Sequence, residues 1–317
     1  MRKNYTRDAV TRRNVLKAAG AGAAVGIAGC LEGGAGDEAD DETGNGNRGL
    51  EVNAAFFALY DLARNVARDT DTVVDLVPVG SHGDDWEPSP RIVETITGGD
   101  VFVYIDGFRR WSDQQAENVE DVVVIDVADG IEFIEGDAGR ERDPHFWLDP
   151  SLAADAVDSI ADGLAEAVPE DADVFEENAT EYRQRLEDVD DRFRDELADR
   201  ERDIVVMGSH NSFAYWEPAY GIEVVTATGL SPDADVSARD REEIENIIEE
   251  EGIEHVAYDM YEEDRVSERI AESTGSELVP LSPIEATTQE QLDEGMGYVE
   301  HMTEINLPSL KKALGAE

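Results

Sequence analysis

The chain has 317 residues, 41% of them hydrophobic, which allows two domains with real cores. Its 75 acidic against 26 basic side chains leave a net charge of −49, which excludes a nucleic-acid partner because phosphate backbones would be repelled. Such an excess self-repels unless screened, and screening lengths fall to about 3 Å at molar salt, so the composition points to an extreme halophile with a solvated acidic surface.

In chain order, the first element is an address. Residues 11–30 read TRRNVLKAAGAGAAVGIAGC, with Arg12 and Arg13 as a twin-arginine pair ahead of a short Ala/Gly-rich run. That run is too short and too rich in small residues to span a membrane, and the pattern marks export in folded form. It ends in Ile27-Ala28-Gly29-Cys30, which resembles a lipoprotein processing box. Cys30 is the single cysteine, so no disulfide or cysteine-built zinc site can form within the chain. As a lipidated first residue it would tether the protein outside the membrane. Residues 31–49, dominated by Gly, Asp and Glu, read as a flexible tether.

From Leu50, short apolar runs alternate with helical patterns. Strands are predicted over 52–57, 72–77, 101–105 and 122–127, with a helix after the first to about Arg68. Asp149-Pro150 opens a helix, since Asp caps the N-terminus and Pro suits the first turn. Its apolar face is Leu152, Ala156, Ile160 and Leu164. Residues 175–199 form one long polar helix with a thin stripe of Tyr182, Leu186, Val189, Phe193 and Leu197, which suits a strut. Further strands are predicted over 204–208, 222–227, 255–259 and 277–281, with a helix over 237–252 ending at Gly252 and a last helix over 289–314. The fold class is therefore α/β: two lobes, 50–170 and 203–317, each a mainly parallel sheet flanked by helices. One long rigid helix within 171–202 joins them, with the ligand cleft between.

Three of the five histidines, His82, His145 and His210, fall at strand-to-helix turns, the side on which such sheets bind ligands. Imidazole suits zinc and other first-row divalent metals, and carboxylates widen the choice towards manganese. Asp84, Asp85, Glu87 and Asp259 are the candidate carboxylates, Asp259 being a weak one. His255 and His301 read as structural or surface residues.

The stretch DPHFWLDP (143–150) resembles the signature of the metal-specific substrate-binding lipoproteins of ABC importers, the zinc and manganese cluster, here of a haloarchaeal type. GSHNSFAYWEPAYGIEVV (208–225), YVEHMTEINLPSLKKAL (298–314) and VNAAFFALYDLARNVA (52–67) extend the resemblance over nearly the whole chain after Leu50. It implies that His145 and His210 are metal ligands between two lobes. It also implies that the protein carries zinc, or else manganese, as cargo to an ABC permease and its ATPase. The expected protein is a monomer on the outer face of the cytoplasmic membrane, with modest change between empty and loaded forms and no catalytic residues. Two departures stand out. In GSHGDDWEP (80–88) the family's first histidine position holds Asp84, with His82 two residues earlier, so either or both can be the first-loop ligand. In LVPLSPI (278–284) Ser282 stands where many members carry Asp, leaving water, His82 or Asp259 as the fourth ligand. The loop 129–143 lacks the histidine-rich tract of zinc specialists. Two other readings remain at this stage: a zinc hydrolase, although no HExxH spacing is present, and a same-fold lipoprotein with a repurposed site or an adhesive role.

Overall fold

The computed structural model describes residues 48–81, 86–136, 141–226, 237–262 and 265–316. The first half alternates β1 (Glu51–Ala54), α1 (Phe57–Val66), β2 (Thr72–Asp75), α2 (Pro90–Gly98), β3 (Val101–Tyr104), α3 (Arg110–Asn118) and β4 (Val123–Asp126). Its strands pair in parallel in the order β2-β1-β3-β4. Helices cover the sheet, which is why its strands read as continuous apolar runs. The predicted strand 52–57 is split. Val52–Ala54 lie in β1, whereas Phe56 has extended backbone and Phe57 opens α1.

After a 3₁₀ turn at Phe146–Leu148 comes α4 (Pro150–Ala167), started as predicted by Asp149, whose carboxylate accepts from Ser151 N at 2.9 Å. Gly163 lets α4 lie directly on the first sheet, because a Cβ there would meet Ile125 at 2.3 Å. The joining helix α5 (Ala172–Glu196) buries Phe175, Ala179, Tyr182, Leu186, Val189 and Phe193 and leaves its other faces polar. Asn178 on α5 donates to the carbonyls of Val66 and Ala67, satisfying the open C-terminus of α1.

The second half repeats the plan. It comprises β5 (Ile204–Met207), α6 (Trp216–Tyr220), β6 (Glu223–Thr226), α7 (Ala238–Glu251), β7 (His255–Asp259), α8 (Arg265–Thr274) and β8 (Glu277–Leu281). These strands are also parallel, in the order β6-β5-β7-β8. A capping box of Ser237 and Asp240 opens α7, and Gly252 at φ +63° closes it. The predicted helix 289–314 is not continuous. It divides into α9 (Gln289–Asp293), α10 (Tyr298–Glu300), a π-helical turn at His301–Asn306 and α11 (Leu307–Leu314). Gly295 turns the chain at φ +77° after α9. Pro308 has no N–H to offer the carbonyl of Glu304, so the helix cannot run through that point with regular bonds.

The two sheets share one core, which runs from Val52, Phe102 and Leu164 through Phe193 to Met207, Leu281 and Leu310. A smaller cluster of Val206, Ile244, Ile248 and Ile270 sits under α7 and α8. Indole and phenol donors stitch the lobes. Trp147 Nε1 donates to Pro283 O at 2.9 Å, Trp216 Nε1 to Leu148 O at 3.0 Å and Tyr298 OH to Trp147 O at 2.6 Å. Strand order reverses between β1 and β3 and between β5 and β7, so the crevices at these strands' C-terminal ends are where an open α/β sheet receives a ligand. Among the described residues no helix is long and apolar enough to cross a membrane.

Candidate metal centre

His145 lies between β4 and α4, at the start of the 3₁₀ turn, and is buried. The Asp143 carboxylate accepts from both its backbone N, at 2.9 Å, and its ring Nδ1, at 2.7 Å. A carboxylate that accepts at Nδ1 puts the ring proton there and leaves the Nε2 lone pair for a ligand. Phe108 and Trp147 enclose the ring at centroid distances of 5.8 and 5.3 Å.

His210 follows β5. Gly208 anchors that turn: its N–H donates to Ser267 Oγ at 2.8 Å, and a Cβ at residue 208 would clash with the Ser267 backbone at 2.3 Å. His210 is buried, with Ser212 Oγ 2.8 Å from Nε2, and its ring stands 5.8 Å from that of His145.

The third member is Glu285, which the sequence reading did not single out. It follows β8 and is fully buried. Its Oε1 lies 3.7 Å from His145 Nε2, and its Oε2 lies 2.5 Å from the Arg109 guanidinium. Backbone strain aims it. Ile284, a β-branched residue, sits at φ +59°. That conformation is held from several sides. Ser282 Oγ accepts from Ile284 N at 3.2 Å, Pro283 O accepts from Trp147, and the Asn306 side chain grips both backbone groups of Ser282 at 2.7 and 3.0 Å.

One donor atom from each of His145, His210 and Glu285 lies within 4.8 Å of the others. Two ligands on a tetrahedral zinc stand roughly 3.4 Å apart, so the 3.7 Å between Nε2 and Oε1 is close to a bound geometry. No other such group of three occurs among the described residues. Asp259 is buried, accepts from Tyr261 N at 2.8 Å, and is not in the group. Glu87 is exposed. His82, Asp84, Asp85, Cys30, Arg12 and Arg13 lie outside the described residues. Ser282 faces away, its hydroxyl 2.8 Å from His301 Nδ1. His301 is buried, and burial lowers its pKa to about 4, which keeps the ring neutral. The signal for Glu285 was present: it is the first acidic residue after the strand ending at Leu281.

The sequence matches the family described as "Zinc-uptake complex component A periplasmic" over residues 52–313. It is 27% identical over 281 residues to the high-affinity zinc uptake system protein ZnuA of Bacillus subtilis, covering 84% of this chain and 88% of that protein. The zinc-binding lipoprotein AdcA of Streptococcus pneumoniae is 28% identical over 284 residues; they make up 84% of this chain but only 56% of AdcA. The fold superposes on the Zn(II)-bound ZnuA-like domain of that AdcA with a TM-score of 0.73 and 28% identity, covering 84% of this chain and 99% of the domain. With matching folds, and a family match that begins in β1 and ends in α11, this chain belongs to the family of periplasmic zinc-uptake component A.

Proposed function

We propose that this protein captures a zinc ion from outside the cell and hands it to the permease of an ABC importer driven by a cytoplasmic ATPase. The observation that carries the proposal is the buried convergence of His145, His210 and Glu285 from both sheets. Two imidazoles and one carboxylate make a zinc-type donor set, with manganese second because hard oxygen ligands suit it better. Zinc binding and uptake by the relatives supports the same choice. His82 or Asp84 would complete the site from the first loop. The family is a transport component and not an enzyme, which removes the hydrolase reading. The proposed organisation is a twin-arginine lipoprotein signal over 1–30 with Arg12, Arg13 and Cys30, a tether over 31–49, lobes over 50–170 and 203–317, and the linker 171–202. The mature protein would be a salt-adapted monomer, lipid-anchored on the outer face of the cytoplasmic membrane.

The test uses chelator-stripped protein in molar KCl, with zinc and manganese added separately. An ion that binds only the native state raises stability by about 2.7 kcal/mol at a hundredfold excess over its dissociation constant. The expected result is a thermal shift with zinc that is lost in His145→Ala. A larger shift with manganese would reassign the cargo, and no shift with either ion would end the capture proposal.

A further inference from the structure

Each of the three converging donors has one of its polar atoms engaged by a buried neighbour. Asp143 holds Nδ1 of His145, Ser212 contacts Nε2 of His210, and Arg109 holds Oε2 of Glu285. The third contact is unlike the others. Arg109 lies at the N-terminus of α3, on the first lobe, and reaches across to a carboxylate that follows β8 on the second. Its main chain is locked, because its carbonyl accepts from Ser112 N, Asp113 N and Ser112 Oγ. Its guanidinium stacks on the Phe108 ring at 4.4 Å, and Phe108 in turn packs on His145. The residue is 7% exposed, so this is a fixed internal cation and not a surface charge.

We infer that Arg109 is a positioning residue that sets ion preference, by occupying one oxygen of Glu285 and so presenting a single carboxylate oxygen to the cargo. This inference rests on the metal-capture reading above. A carboxylate free at both oxygens can bind edge-on and raise the coordination number, which suits manganese and its octahedral oxygen sites. A carboxylate pinned at one oxygen contributes one donor, which suits four-coordinate zinc. The planar guanidinium fork, stacked on Phe108, is the side chain suited to such a clamp. A lysine ammonium is a mobile point charge that can move between the two oxygens.

The experiment measures zinc and manganese affinities of the stripped wild type, Arg109→Met and Arg109→Lys by competition. Absorption spectroscopy at the zinc edge then counts oxygen donors in each zinc-loaded protein. Partners of metal ligands typically change affinity by about tenfold to a hundredfold when removed. The expected outcome is a zinc-over-manganese preference lowered by about that factor in Arg109→Met, with a smaller loss in Arg109→Lys. One further oxygen donor should appear around zinc in Arg109→Met. A merely structural cross-lobe pair would weaken both ions alike and leave the ratio unchanged, and that result overturns the inference. If Arg109→Met does not fold, an unchanged ratio in Arg109→Lys, or both Glu285 oxygens on zinc in the wild type, overturns it equally. A wild type that binds zinc with either result separates this inference from the capture reading, whereas a wild type that binds neither ion sinks both.

Discussion

Ser282 and Glu285 are three residues apart, and the difference between them is the difference between a lost donor and a third member of the cluster. The hydroxyl of Ser282 is turned inward to His301 Nδ1 and to the backbone of Ile284. It works as a brace for the turn that delivers Glu285, so its missing carboxylate takes nothing from the cluster. Asp143 plays the corresponding part for His145, through the acidic residue of the DPH triplet itself. Replacing that carboxylate weakens the hold on the ring tautomer. Asp143→Asn is expected to lower zinc affinity by about tenfold to a hundredfold while the far-ultraviolet spectrum stays unchanged. An affinity within threefold of wild type, measured by chelator competition, would remove Asp143 from this role.

Among the elements, the strand-turn-helix units follow their patterns apart from the early start of α1 at Phe57, and the C-terminal segment does not. The π-helical turn at His301–Asn306 places a histidine and an asparagine inward, one against Ser282 and Tyr261, the other clamping the Ser282 backbone. This element therefore carries a pH dependence. The His301 pKa is depressed from about 6.5 to about 4 by burial, so the unfolded state binds the proton more readily below pH 6.5. Its contribution to stability is full above that pH and is lost as pH falls towards 4. Between pH 7 and pH 5 the loss from this one group is about 2 kcal/mol. His301→Gln is expected to flatten the acid limb of the stability profile by that amount, whatever its effect at pH 7. A parallel profile for variant and wild type in denaturant titrations would show that His301 already titrates normally in the folded state.

At the scale of the whole molecule, a net charge of −49 surrounds one shared core. The apolar interior favours the compact state and like charges on the surface oppose it, a repulsion that salt screens. Screening lengths are about 10 Å at 0.1 M and about 3 Å at 1 M. The thermal midpoint of residues 48–317 is expected to climb steadily as KCl rises from 0.1 to 2 M; a flat or falling midpoint would show that the surface is not salt-adapted. The sequence by itself determined the α/β class, the strand order along the chain and the long joining helix, and it offered three histidines at run ends, of which the family resemblance singled out the two that the cluster holds. These depend on local periodicity and on residues that sit at the ends of apolar runs. Only the tertiary structure decided that Glu285 is the third member, that Arg109 from the other lobe holds it, and that Ser282 is a brace. Arg109 and Glu285 are 176 positions apart and meet because two sheets of the same strand order share one core. The aim of Glu285 depends on a strained φ at Ile284 that its own residue type disfavours, so its place as the first acidic residue after β8 does not by itself give that aim.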